Sequence, residues 1–145
     1  MKEPEDLSYA KCRELLAAGL VGRVGLCTSE GPVILPVNYA VVGEAVVLRT
    51  TADGLIARHA PAGFAFEVDH VDYGDQVGWS VLATGRAEIL EDPVVLAQVA
   101  RTWEPRPWAA GKRDLHLRLA WTSLTGRRLG SGWTRANELP VRRHT

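Results

Sequence analysis

The residues best suited to chemistry lie at the end of one apolar stretch. Arg49, Thr50 and Thr51 set a planar cation beside two hydroxyls, and a short helical pattern follows from Asp53. A guanidinium, hydroxyl donors and the N–H groups at a helix start are the parts of a phosphate site. Other reactive residue types are scattered. His59, His70, His116 and His144 have no metal-ligand spacing and no acidic cluster beside them, so no metal site is expected. Cys12 and Cys27 lack metal or redox spacing, and isolated thiols fit a reducing compartment. Gly78-Trp79-Ser80-Val81-Leu82 lacks the final glycine of a nucleophile elbow. GRRLGSG, from Gly126, has glycines but follows no strand–helix–strand unit. No catalytic acid or base stands out.

The stretch that must position the arginine and threonines runs from Pro32 to Gly54. It reads as a long strand, a two-residue type II′ turn at Gly43-Glu44, a second strand, and a helix over Asp53–Ala60. Val33, Leu35, Val37, Tyr39 and Val41 share one face of the first strand; Ile34, Pro36, Asn38, Ala40 and Val42 share the other. Both faces are mostly apolar, so both are expected to be covered, one by a barrel interior and one by a ligand or second subunit. Asn38 is the hydrogen-bonding side chain on its face, which calls for a polar partner.

Around this stretch, Ser8 caps a helix to Ala18 with Gly19 as its stop. Val21–Thr28 is a strand whose Gly22 and Gly25 mark a bulge, a bend or a close approach. Phe64–Val71 alternates strictly, Val77–Leu90 is a long strand kinked at Gly85, and Leu115–Leu124 alternates with Leu115, Leu117, Leu119 and Trp121 inward. Asp92-Pro93 opens a helix to about Trp103, and Glu104–Arg113 reads as a loop. The pattern is mainly β with short flanking helices: six strands in hairpin order, an antiparallel barrel of Greek-key type.

The 145 residues suit one domain over 1–145, with a short extension at 1–7 and a basic tail at 130–145. Lysine plus arginine equals aspartate plus glutamate at 17 each, so no general nucleic-acid binder is expected. The excess of arginine after Gly126 reads as a solvated tail or an anion contact. The N-terminus is acidic without an apolar core, and no apolar run reaches the ~20 residues of a membrane span. A cytoplasmic protein without membrane contact is the expectation.

Several local sequences, in order, carry a resemblance. They are GRVGL (from Gly22), LPVNYAV (from Leu35), VVLRTT (from Val46), FEVDHVD (from Phe66), GWSVLATGRAEIL (from Gly78) and LTGRRL (from Leu124). Together the chain resembles the pyridoxamine 5′-phosphate oxidase-like split-barrel proteins over roughly Leu7–Leu129. The resemblance implies a split-barrel homodimer binding a small molecule at the subunit interface: FMN first, with haem or a deazaflavin as alternatives, or no cofactor at all. It implies a flavin-dependent oxidoreductase of unassigned substrate. The flavin ring would lie along Val37, Asn38 and Tyr39, with Tyr39 the nearest proton donor, and its phosphate at Arg49, Thr50 and Thr51. Trp79, Ser80, Arg127 and Arg128 match positions that contact the ligand, the arginines reaching it from the partner. Asp53-Gly54 stands where many relatives carry a lysine or arginine; Arg58, one turn on, is the substitute to examine. For haem, His59 and His116 are the axial candidates.

Overall fold

The computed structural model describes residues 4–102 and 114–130. Its elements are β1 (Glu5–Asp6), α1 (Tyr9–Ala18), β2 (Val21–Thr28), β3 (Gly31–Asn38), β4 (Ala40–Val42), β5 (Ala45–Thr50), α2 (Leu55–Arg58), β6 (Ala62–Asp72), β7 (Val77–Leu90), α3 (Pro93–Thr102) and β8 (Leu115–Leu129). Every pairing is antiparallel. The sheet runs β3-β2-β6-β7-β8-β5-β4, with β1 added on β8.

Eight strands therefore replace the expected six. The long first hairpin strand breaks at Tyr39 into β3 and β4, and β1 is an extra two-residue strand. The break shapes the fold. β3 lies on one edge of the sheet and β4 on the other, so the turn of chain at Tyr39 closes the sheet into a barrel. Below that point β3 and β5 diverge without a ladder between them, which leaves a split in the wall.

Tyr39 is fixed at this pivot by its surroundings. Its N–H donates to the Leu20 carbonyl (3.2 Å) and its hydroxyl donates a short bond to the Leu16 carbonyl at the end of α1. Its ring meets Phe66 edge-on at 4.7 Å. Gly19 ends α1 as expected, but with φ −79° it is not a left-handed cap. It is glycine for space: a Cβ there would lie 2.3 Å from the Tyr39 hydroxyl. Ser8 Oγ accepts from Lys11 N at the other end of the helix.

The other expected glycine roles divide. Gly22 lies under Phe66, whose ring a Cβ would meet at 2.2 Å, whereas Gly25 has ordinary room. Gly85 marks a bulge in the β7–β8 register, where a Cβ would strike the Ala120 carbonyl at 2.1 Å. Gly43 has φ +61° and Glu44 is not in the left-handed region, which makes the β4–β5 turn type II′.

Inside, Val24, Leu26, Leu48, Phe66, Val81, Leu117 and Leu119 join Leu15, Leu16 and Cys12 of α1 in one core. Trp121 is buried as expected, and its indole N–H donates to Tyr9 Oη, which donates to Glu44. The outer face of β3 is not covered: Ile34 is 70% exposed, and Pro32 and Pro36 are exposed. No helix among the described residues is long and apolar enough to cross a membrane. Trp103, the loop to Arg113 and the tail beyond Gly130 lie outside the described residues.

Candidate functional site

The split in the wall forms a cleft of about 240 Å³. One side is β3, with Leu35, Pro36, Val37 and Asn38. The other is the end of β5 and the turn beyond it, with Arg49, Thr50, Thr51 and Gly54 through Ile56. β3 is a terminal strand, so among the described residues its second edge pairs with no strand. The main-chain groups on that edge point toward the cleft side of the barrel, which suits a flat ligand with its own donors and acceptors. Asn38 borders the cleft while its side-chain N–H donates to the Leu20 carbonyl at 3.4 Å.

Arg49, Thr50 and Thr51 converge here as their sequence suggested. The expected helix contribution is smaller than expected. α2 spans only Leu55–Arg58, a single turn, so it carries little dipole. Gly54 lets the turn pack closely: a Cβ on it would collide with Thr51 Oγ1 at 2.6 Å and lie 3.5 Å from Thr50 Oγ1. Gly54 and both threonines border the cleft beside Arg49, a set of a cation and hydroxyls that suits an anion. Asp53 is exposed and does not border the cleft, so its charge is turned away. Arg58 is exposed and does not border it either.

Tyr39 requires a correction. Its side chain is fully buried and its hydroxyl is committed to the Leu16 carbonyl, so it offers no side chain to the cleft and no proton to a ligand there. Strand alternation sent it inward, and the break that follows it left it in the core.

Trp79, Ser80, Arg127 and Arg128 border a second, larger cavity of about 550 Å³. It sits at the turn of the β6–β7 hairpin, where Val71, Tyr73, Gly78 and Leu129 contribute apolar lining. Ser80 is opposite Arg127 in the β7–β8 ladder and Trp79 is opposite Arg128. Trp79 is 96% buried, being 4% exposed, and its indole N–H has no hydrogen-bond partner among the described residues. An unpaired buried donor is costly, of order 1–3 kcal/mol, and an acceptor on a bound ligand would relieve it. The two clusters lie toward opposite ends of β8: Thr50 pairs with Leu115, and Arg127 is twelve residues further along, roughly 40 Å of extended strand.

Charge on the outer face between them is concentrated in one group. Arg23 Nη1 contacts Glu67 Oε1 at 2.9 Å and Asp69 Oδ2 at 3.3 Å. Burial and the neighbouring Asp69 push the Glu67 carboxyl up from its ordinary value, and Arg23 offsets this only in part. Burial likewise pushes the Cys12 thiol up. Neither His59 nor His116 borders either of these two cavities, and the His59 ring is hydrogen-bonded at Nδ1 to the Leu55 carbonyl (2.7 Å). Among the described residues no cluster of three metal-ligating side chains forms.

Sequence reasoning missed the close packing of Gly54 against Thr51 and the apolar rim of the larger cavity. A signal for the rim was present, since Val71 falls on the face of β6 that otherwise carries Glu67 and Asp69.

An antiparallel barrel, mainly β with short helices and split beside its first hairpin, matches the split-barrel fold of pyridoxamine 5′-phosphate oxidase-like proteins. The chain belongs to the pyridoxamine 5′-phosphate oxidase family, whose profile matches residues 8–128. An uncharacterized protein of Mycobacterium tuberculosis, Rv0080, is 36% identical over 110 residues, 72% of each chain. The solved FAD-binding protein of Mycobacterium smegmatis is 30% identical, with a TM-score of 0.74 over 87% of this chain and 98% of that one. A candidate pyridoxamine 5′-phosphate oxidase of Corynebacterium glutamicum is 28% identical, with a TM-score of 0.75 over 92% and 99%.

Proposed function

We propose that this protein binds a flavin nucleotide, FMN, in the β3–β5 cleft and acts as a flavin-dependent oxidoreductase. The observation that carries the reading is the cleft that Arg49, Thr50, Thr51 and Gly54 border at the foot of the β3 edge. The three polar side chains would hold the phosphate, and the β3 edge with Val37 and Asn38 would hold the ring. A bound flavin supplies electron or hydride transfer. The chain's share is to orient the ring along β3, to fix its charge at Arg49, and to exclude water with Leu35, Leu55 and Ile56.

The site is shared between two copies of the chain. Trp79, Ser80, Arg127 and Arg128 lie too far from the cleft to reach the same ring in one copy, so the partner's larger cavity brings them to it. The exposed outer face of β3 with Val21, Leu82 and the Arg23–Glu67–Asp69 group is the surface that would be covered. FAD is the second reading, favoured by the M. smegmatis protein and by the size of the larger cavity. Haem is not favoured: neighbours at 20% and 21% identity share the fold alone, and neither candidate histidine reaches a cavity. A deazaflavin would use the same ring contacts.

Titration of flavin fluorescence with FMN and FAD, alongside sedimentation at micromolar concentration, tests this. Quenching by a dimer upholds the reading. A monomer, or a dimer that quenches neither flavin, overturns it.

A further inference from the structure

The outer face of the sheet reverses the usual order of an interface, with charge at its centre and apolar groups around it. Arg23 lies opposite Glu67 in the β2–β6 ladder, and Asp69 follows two residues on, on the same face. Arg23 Nη1 reaches both carboxylates, at 2.9 and 3.3 Å. Val21 precedes Arg23 on this face, Leu82 lies opposite Glu67 on β7, and Val71 follows Asp69; they are 40%, 42% and 48% exposed. Pro36 of β3 lies opposite Arg23.

The group sets one cation against two acids, and the other charges on this face are engaged elsewhere. Beyond Asp69 the row continues through Ser80 of β7 to Arg127 of β8, which meets Asp6 of β1 at 3.6 Å. Beyond Glu67 it continues through Leu82 and Thr125, without charge. Further along β7, Arg86 is held by Glu88 at 2.8 Å. Exposed Cys27 is the remaining titratable group on this side of β2, and β3 presents Pro32, Ile34, Pro36 and Asn38. Arg23, Glu67 and Asp69 therefore hold one excess negative charge when both carboxyls are ionised.

In the separate chain the acid side chains are 35% and 34% exposed, and water solvates that excess. A second copy laid over this face removes the water and brings the same excess with it, because a twofold interface sets one patch against itself. Burying an unpaired carboxylate is unfavourable, and a proton relieves it. Glu67 is already disposed to take one, since burial and Asp69 push its carboxyl up. Arg23 is then left to pair with Asp69, and the patch is neutral.

We propose that two copies associating through this face take up protons at their Glu67–Asp69 pairs, so that acid favours the dimer and the ligand site shared across it. The inference rests on the two-copy reading above and adds a regulation to it. Its sign follows from linkage. The dimer binds more protons than two separate chains, so association tightens as pH falls through the raised carboxyl range.

Fluorescence-detected sedimentation of the full chain, diluted until monomer appears, reads the dissociation constant from about pH 8 to about pH 5, a span that brackets a raised carboxyl. Wild type tightens roughly tenfold or more toward the acid end, the factor for one proton taken up over one pH unit. Glu67→Gln keeps the shape without the charge and holds the acid-end affinity throughout. Asp69→Asn, which leaves Glu67 alone with Arg23, flattens the profile as well. Arg23→Gln leaves both acids unpaired, weakens the dimer at the alkaline end and steepens the profile. A wild-type dimer of unchanged strength across the range, or a wild-type slope retained by both Glu67→Gln and Asp69→Asn, overturns the proposal and leaves the shared flavin site standing. A chain that stays monomeric at micromolar concentration at every pH sinks both.

Discussion

Restoring a basic residue at position 54 should weaken flavin binding. Relatives' lysine or arginine at this point invites the substitution Gly54→Lys as a gain of charge. The structure argues the opposite. A Cβ at 54 lies 2.6 Å from Thr51 Oγ1 and 3.3 Å from the Thr51 carbonyl, so Thr51 must rotate or the turn must shift. Overpacking of this kind costs about 1–3 kcal/mol. A lysine at a half-exposed turn returns about 0.2–1 kcal/mol against a phosphate. The steric term wins by roughly 1 kcal/mol, which raises the FMN dissociation constant about fivefold. Gly54→Ala adds the Cβ without the charge and should be weaker still. Both are read by flavin fluorescence quenching, with urea unfolding to confirm that each variant is folded. Tighter binding by Gly54→Lys than by wild type would refute the reasoning, because the clash with Thr51 would then not disturb the side chains that hold the phosphate.

Tyr39→Phe should lower stability by about 1–2 kcal/mol in urea unfolding, since it removes the donor to the buried Leu16 carbonyl, and should leave FMN affinity unchanged. Gly85→Ala should cost about 3 kcal/mol or more, because its Cβ meets backbone at 2.1 Å and not a movable side chain. The Glu67 carboxyl is raised in the fold, so the folded state binds that proton more tightly than the unfolded chain. Stability from this group is present at low pH and falls as pH rises from the ordinary glutamate value through the raised one. Glu67→Gln should remove that decline, seen as a flatter dependence of the thermal midpoint on pH. Cys12 is buried with its thiol pushed up, so a thiol reagent should modify exposed Cys27 in the native protein and Cys12 only on unfolding.

Much of the barrel is written in period-two alternation. Phe64, Phe66 and Val68 face inward as read, and so do Leu117, Leu119 and Trp121. The grouping of Arg49, Thr50 and Thr51 beside one cleft was also legible, because they are contiguous at a strand end and needed no tertiary information to meet. The break at Tyr39 was not legible. Both faces of Pro32–Val42 are apolar, so alternation continues through the residue where the chain changes edges, and the cause is the distant bond to Leu16. At Gly54 sequence registers a missing charge, while the close approach of Thr51 that leaves no room for a side chain depends on the folded turn. The separation of Trp79 and Arg127 from the cleft follows from strand register, which local patterns do not encode.

The most direct test of the account compares FMN with riboflavin in wild type and Arg49→Ala. The two ligands differ by the phosphate alone, and a charge-assisted contact contributes about 1.5–3 kcal/mol. Wild type should therefore prefer FMN by roughly 10- to 100-fold, and Arg49→Ala should lose most of that preference while binding riboflavin unchanged. Equal affinity for both ligands in the wild type, or a preference that survives the loss of Arg49, would contradict the placement of a flavin nucleotide in the β3–β5 cleft.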